Sequence, residues 1–342
     1  MMEEKKILIS RIDNIGDVVL TLPIAGAIKE HFPNSKIFFL GKSYTKPIIE
    51  SCSHIDCFLD WDQILSSNNF KLLKNNDIDT VIHVFPNKKV SQLSKEIAIK
   101  TRIGTNRRFF HWLYCNKFVN LSRKNSSLHE AQLNLKLLKP IGIKKIPTLK
   151  EIPNYYGLNK IKPLPGKFLN LLDNNKFKLI LHPKSKGSAR EWGINNFIAL
   201  ANLLPKDKFQ VFFSGNKEES NIIKNQIIPN CLNCIDVSNL FNLEEFISFI
   251  FLCDGLVANS TGPLHIAAAL GKHTIGLYPP IESMSVKRWG PIGKKAQFIT
   301  GIPKNNSIYC NQICSNQNSC LCMASILPNL LKENILKWYL NN

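Results

Sequence analysis

The sequence predicts two α/β domains in tandem, each a doubly wound parallel sheet, and three observations lead there. A chain of 342 residues is more than one ordinary core organises, so two domains of similar size are expected. Short apolar runs alternate with amphipathic stretches, which is the pattern of βαβ units on a parallel sheet. That alternation stops in a segment rich in Pro, Lys, Asn and Tyr at 143–167 and then begins again.

Taken in order, KILIS (6–10) reads as a buried strand, IAGAIKEHF as a helix and KIFFLG (36–41) as a second strand. DTVIHVF (79–85) is a strand, VSQLSKEIAIK a helix and RIG (102–104) a strand. LHEAQLNLKLLKPIG (128–142) repeats apolar residues at helical spacing and stops at Pro140 and Gly142. PLPGK (163–167) is the expected linker, separating a domain over 1–162 from one over 168–325. In the second half FKLILHP (177–183), FQVFFSG (209–215), GLVANS (255–260) and HTIGLYP (273–279) are strands. INNFIALANLL, LEEFISFIFLC and GPLHIAAALG are the helices between them, and an amphipathic helix over 326–342 ends the chain. Ligands are expected at the carboxyl ends of the strands.

An apolar fraction of 44% with 20% charged residues fits a soluble globular protein. No apolar run approaches the roughly 18 residues of a membrane span. The opening MMEEKKILIS enters a strand directly, so no secretory signal is expected and the cytosol is the expected compartment. The formal charge of +19, from 44 bases and 25 acids, calls for an anionic partner such as nucleic acid, a negatively charged leaflet or a phosphorylated substrate. Stacking aromatics interleaved with arginines are missing, so nucleic acid is not the expected partner. Neither first strand is followed by G-x-G-x-x-G, which argues against a dinucleotide-dependent oxidoreductase.

No metal or cofactor is expected. The ten cysteines include Cys231 and Cys234 in one C-x-x-C and a late cluster of Cys310, Cys314, Cys320 and Cys322. In a reducing compartment disulfides are not expected. The late cluster lacks the paired knuckles of a structural zinc site, so free thiols are expected. The acidic pairs Asp60/Asp62 and Asp77/Asp79 have no histidine or glycine-rich partner and read as solvated strand edges.

Three stretches carry chemistry. In RIDNIGDVVLTLP (11–23), Asp17 admits two readings: a helix N-cap, or a general base facing the cleft between the domains. Pro23 breaks the following helix and leaves a shaped loop. In NSTGPLHIAAALG (259–271), Ser260, Thr261 and Gly262 precede a helix whose free N–H groups make an anion site, and His265 lies in its first turn. In HPKSKGSAREW (182–192), Lys184, Lys186 and Arg190 with two serines and Gly187 form a loop able to wrap a diphosphate.

Together these three stretches, in this order, resemble the bacterial heptosyltransferases, which transfer heptose from ADP-heptose to lipopolysaccharide. DTVIHVF, RIG, HEAQLNLKLL and the cysteines ending at Cys322-Met323 extend the resemblance along nearly the whole chain. It implies a GT-B fold, with two Rossmann-like domains facing a cleft and the last helix crossing back to pack on the N-terminal domain. It places a nucleotide-sugar donor on the C-terminal domain and a lipid-linked, phosphorylated glycan acceptor on the N-terminal one. Asp17 would be the catalytic base of an inverting, metal-independent displacement. Ser185, Lys186, Arg190, Glu218, Ser260, Thr261, Gly262 and His265 would hold the donor, with Glu218 on the ribose and Glu219 its close competitor. Arg190 stands where the family often has lysine, the 182–192 loop is one residue longer, and Ser260 replaces an aspartate that contacts the sugar in several members. The positive charge then suits peripheral contact with the anionic inner leaflet.

Overall fold

The computed structural model describes residues 5–67, 71–123, 126–303 and 320–340. The chain divides into two compact units, Met1–Lys160 and Ile161–Asn342. The first carries a sheet of β1 (Lys6–Ser10), β2 (Lys36–Gly41), β3 (Cys57–Asp60), β4 (Thr80–His83), β5 (Thr101–Thr105) and β6 (Lys117–Val119). Their spatial order is β3-β2-β1-β4-β5-β6, and every pairing is parallel. Ile7, Leu8 and Ile9 of β1 are all buried, as expected where helices cover both faces of a parallel sheet.

The second unit repeats the plan. It holds β7 (Phe177–His182), β8 (Phe209–Phe213), β9 (Cys234–Asp236), β10 (Gly255–Asn259), β11 (His273–Tyr278) and β12 (Ala296–Thr300). The order is β12-β11-β10-β7-β8-β9, again wholly parallel. In both units the order reverses beside the first strand, between β1 and β4 and between β7 and β10. A doubly wound sheet opens its ligand crevice at that switch point, outside the carboxyl ends of the strands.

Local sequence explains the elements that shape these crevices. After β1 a single helical turn, Ile15–Val19, begins at Asn14, and Pro23 opens the next helix, Pro23–His31. Proline is preorganised for a helix's first turn, so it ends one helix and starts another. The helix Glu130–Lys136 passes into a short 3-10 turn at Lys139–Ile141. Gly142 stops it at φ 99°, a conformation that favours glycine.

Two expectations change. Asp60 and Asp79 are not merely solvated edges: Asp60 caps the helix Trp61–Ser66 through Asp62 N and Gln63 N, and Asp79 accepts from Lys6 N at 2.6 Å. The terminal helix Pro328–Leu340 was assigned by resemblance to the N-terminal domain. Its buried residues Leu331, Ile335 and Trp338 instead join the apolar core of the second unit. There Trp338 stacks on His273 with ring centroids 5.1 Å apart.

Candidate active site

At the switch point of the first unit, one buried guanidinium gathers three carboxylates. Arg11 is 3% exposed. Its Nε donates to Asp13 Oδ1 at 2.6 Å, its Nη2 binds Asp17 Oδ1, and its Nη1 lies 3.6 Å from Glu130 Oε1. Glu130, also buried, accepts from Arg123 Nε at 2.9 Å. Arg123 in turn donates to Val84 O at 3.1 Å and to Asn134 Oδ1 at 2.9 Å. Asn134 reaches back to Leu20 O at 3.2 Å, and Thr21 donates to Asp17 O at 2.8 Å. The segment 11–21 is thereby fastened to a helix more than a hundred residues later in the chain.

This geometry excludes the helix-cap reading of Asp17. The helix begins at Asn14, and no side-chain cap bond is made there. The Asp17 carboxylate sits one turn in, on Arg11. Its Oδ1 is taken, while Oδ2 accepts no hydrogen bond among the described residues. Burial raises the Asp17 pKa, against the opposing pull of Arg11. Asp13 is likewise pushed up, to about 6, by burial first, with Arg11 again opposing. A carboxylate whose ionised form is disfavoured by burial is a stronger base than a solvated one, and a base works best with a pKa near the working pH.

The second unit gathers cations and free N–H groups at its own switch point. Asn259, the last residue of β10, donates to Pro183 O at 2.8 Å and accepts from Trp192 N at 3.0 Å. That clamp joins the 183–192 loop to the start of the helix Gly262–Ala269. No side chain caps this helix, whose N-cap is Thr261, so its first amides can meet an anion. Within the loop, Glu191 binds Lys184 and also Ser185, accepting from its N at 3.0 Å with the hydroxyl at 3.1 Å. Arg190 is half-buried, and its Nε has no hydrogen-bond partner among the described residues. A buried donor left in this state suits an incoming acceptor.

The expected donor residues therefore converge, but not with equal roles. Lys186, at φ 51°, is exposed and 3.3 Å from the exposed Glu218, which brings the loop after β8 to the same place. Glu219 is buried and instead completes the capping box of Asn216, so Glu218 is the acid presented to solvent. Ser185 is buried on Glu191, which makes it a loop-holding residue and not an open hydroxyl. Ser260 is half-buried just after β10. His265 is buried at 4% exposure.

Arg11, Asp13, Glu130, Arg123, Glu191 and Asn259 were not singled out from the sequence. One signal was present: Glu130 is the first acid after Glu96, and it ends a long basic stretch. Of the late cysteines, Cys310 and Cys314 lie outside the described residues, and Cys320 and Cys322 are buried in the apolar core. No group of three or more possible metal ligands occurs among the described residues. Likewise, no described helix is long and apolar enough to cross a membrane.

One unit thus holds a carboxylate raised in pKa by burial, and the other an uncapped helix start beside a basic loop. Residues 68–319 match the family described as Glycosyltransferase family 9 (heptosyltransferase), and the chain belongs to that family. Among relatives, it is 25% identical to the lipopolysaccharide core heptosyltransferase OpsX of Haemophilus influenzae, over 80% of this chain and 79% of that one. Among solved structures, it resembles a family 9 glycosyl transferase of Veillonella parvula, with TM-score 0.77 and 16% identity over 100% and 99% of the two chains. It also resembles Escherichia coli heptosyltransferase WaaC, solved with ADP and with ADP-2-deoxy-2-fluoro heptose. For the ADP form the TM-score is 0.70, with 15% identity over 97% and 99% of the chains. The two six-stranded parallel sheets are the architecture of the GT-B fold.

Proposed function

We propose that this enzyme is an inverting heptosyltransferase that moves a heptose from ADP-heptose to an inner-core lipopolysaccharide acceptor. The observation that carries this reading is the Asp17 carboxylate, held on one oxygen by buried Arg11 and raised in pKa by burial. Asp17 Oδ2 takes the proton from the acceptor hydroxyl as that oxygen bonds to the anomeric carbon. The bond from the anomeric carbon to the diphosphate breaks on the opposite face, and ADP leaves with the electron pair. Such a base is worth about 10²–10⁴-fold in rate, and the transition state has oxocarbenium character.

In the second unit, the departing diphosphate is met by Arg190, Lys186 and the amides after Thr261, a preorganised set that costs no reorganisation as charge develops. Glu218, exposed beside Lys186, accepts from the ribose hydroxyls. Lys184, Ser185 and Glu191 hold the loop in shape. The lipopolysaccharide core in the name of OpsX and the ADP-2-deoxy-2-fluoro heptose bound to WaaC support this assignment. The net charge of +19 supports work at the cytoplasmic face of an anionic membrane, with contact that weakens as salt rises. The fold and the base leave the sugar least constrained. Ser260, in place of an aspartate, favours a second reading in which the same mechanism serves another nucleotide sugar or another cell-surface glycan.

Incubation with ADP-heptose and lipid A–core acceptors should add the mass of one heptose, with the anomeric configuration of the product opposite to that of the donor. Retention of configuration would refute the single displacement. Tight calorimetric binding of a non-adenine nucleotide sugar, with none of ADP-heptose, would refute the donor assignment.

A further inference from the structure

From Ile97 to His129 the chain carries seven bases and no acid. The middle of this stretch holds the helix Phe109–Tyr114 and β6. Phe109 is 80% exposed and Trp112 59%, and Leu113 and Phe118 are exposed beside them. Single surface apolar residues need no explanation, but a contiguous patch rimmed by charge marks an interaction surface. Arg107, Arg108 and Lys117, all exposed, supply the rim.

The patch is held outward by the opposite side of its own helix. His111 is fully buried and accepts from Thr105 N at 3.0 Å. It lies so close to Gly104 that a Cβ there would come within 2.6 Å of His111 Nδ1. Arg102 Nε donates to Tyr114 O at 2.7 Å, and Lys95 Nζ donates to Leu113 O at 2.9 Å. Trp112 stacks on Phe118 with centroids 4.7 Å apart, and its indole N–H is tied to Asn106 O at 3.1 Å. Thus Trp112 and Phe118 are held together at the surface.

We infer that this patch docks on an anionic lipid bilayer. Aromatic rings with arginine and lysine beside them are the composition that settles at the lipid–water interface, with rings among the acyl chains and cations on the headgroup phosphates. A second copy of this chain is a poor occupant, since a two-fold contact would set Arg107, Arg108 and Lys117 against themselves. Arg107, Arg108 and Phe109 leave the carboxyl end of β5, two strands from β1 in the sheet. At about 4.8 Å per strand, that puts them roughly 10 Å across from the segment leading to Asp17, on the same edge. Docking therefore presents the carboxylate edge of the first unit to the membrane. This use of the surface rests on the transferase reading; the docking itself rests on the patch.

The test is sedimentation of the full chain with sucrose-loaded vesicles of phosphatidylethanolamine and phosphatidylglycerol, beside vesicles of phosphatidylcholine alone. Wild type should bind the anionic vesicles at least about tenfold more tightly. Both Phe109→Ser/Trp112→Ser and Arg107→Gln/Arg108→Gln should weaken that binding at least about tenfold, with transfer to a short water-soluble acceptor unchanged. Brominated lipid should quench wild-type fluorescence, and Trp112→Phe should bind but lose most of that quenching, because Trp61, Trp192 and Trp338 are buried and the half-buried Trp289 belongs to the second unit. Failure of wild type to bind, equal binding by both double variants, or variants that change only the oligomeric state would overturn the proposal. If vesicle binding behaves as described while no nucleotide sugar supports transfer, the transferase reading falls and the docking surface stands.

Discussion

Replacing Arg11 by methionine is the severest test of the charge network that shapes Asp17. In the wild type two guanidiniums, Arg11 and Arg123, stand among three carboxylates, Asp13, Asp17 and Glu130. Methionine fills much of the volume but leaves one cation facing three buried or half-buried acids. Removing one partner of a buried pair costs about 3–5 kcal/mol, so that is the loss expected near pH 7.5. The sign of its pH dependence follows from linkage. Burial already holds the Asp13 carboxyl at about 6 and raises Asp17, and losing the Arg11 cation raises both further. The folded state then binds more protons than the unfolded state, so the variant loses stability as pH rises. At about 1.4 kcal/mol for each pKa unit, the deficit should shrink by about 1–3 kcal/mol between pH 7.5 and pH 5.5. Urea unfolding of the full chain at both pH values measures it, with amide exchange over 6–22 reporting on the first unit. A deficit below about 1 kcal/mol at pH 7.5, or one that grows on acidification, would refute the network.

Three further outcomes follow from the same geometry. The acidic limb of kcat/KM should fall above the ordinary aspartate value of about 3.9, because Asp17 must be ionised to act and burial raises its pKa; a limb at or below that value would contradict its role. Glu191→Gln removes the anion between Lys184 and Ser185, so calorimetry should show donor Kd rising about tenfold and thermal unfolding a loss of about 3 kcal/mol. Arg190→Ala should weaken donor binding and slow transfer together, because the diphosphate is present in ground and transition states, whereas Arg190→Lys should recover much of both, since a single cation suffices there.

What was legible in the sequence was what is local. The central strands announce themselves because a strand covered on both faces is an unbroken apolar run, as in KILIS and FKLILH. The outer strands escape that signal. β6 reads KFV with two exposed residues, and β9 reads CID with none fully buried. Asp17 and the 182–192 loop could be found because each adjoins its strand. Glu130 could not be tied to Asp17, since only the folded first unit brings the helix at 130–136 against Arg11. Ser185 shows the converse difficulty: a hydroxyl in a basic loop looks open to phosphate, yet Glu191, six residues on, takes it into the interior. For the last helix, an amphipathic face says that an apolar surface is needed without naming the surface, and the family resemblance supplied a different one.

The account turns on one carboxylate accepting a proton while the other unit holds the donor. Single-turnover transfer by Asp17→Asn, measured beside calorimetric donor affinity on the same protein, separates the two most directly. The network loses one negative charge and gains balance, so the variant should fold, bind donor within about twofold of wild type and transfer about 10²–10⁴ times more slowly. Transfer within a few-fold of wild type, or donor binding lost along with it, would contradict the account.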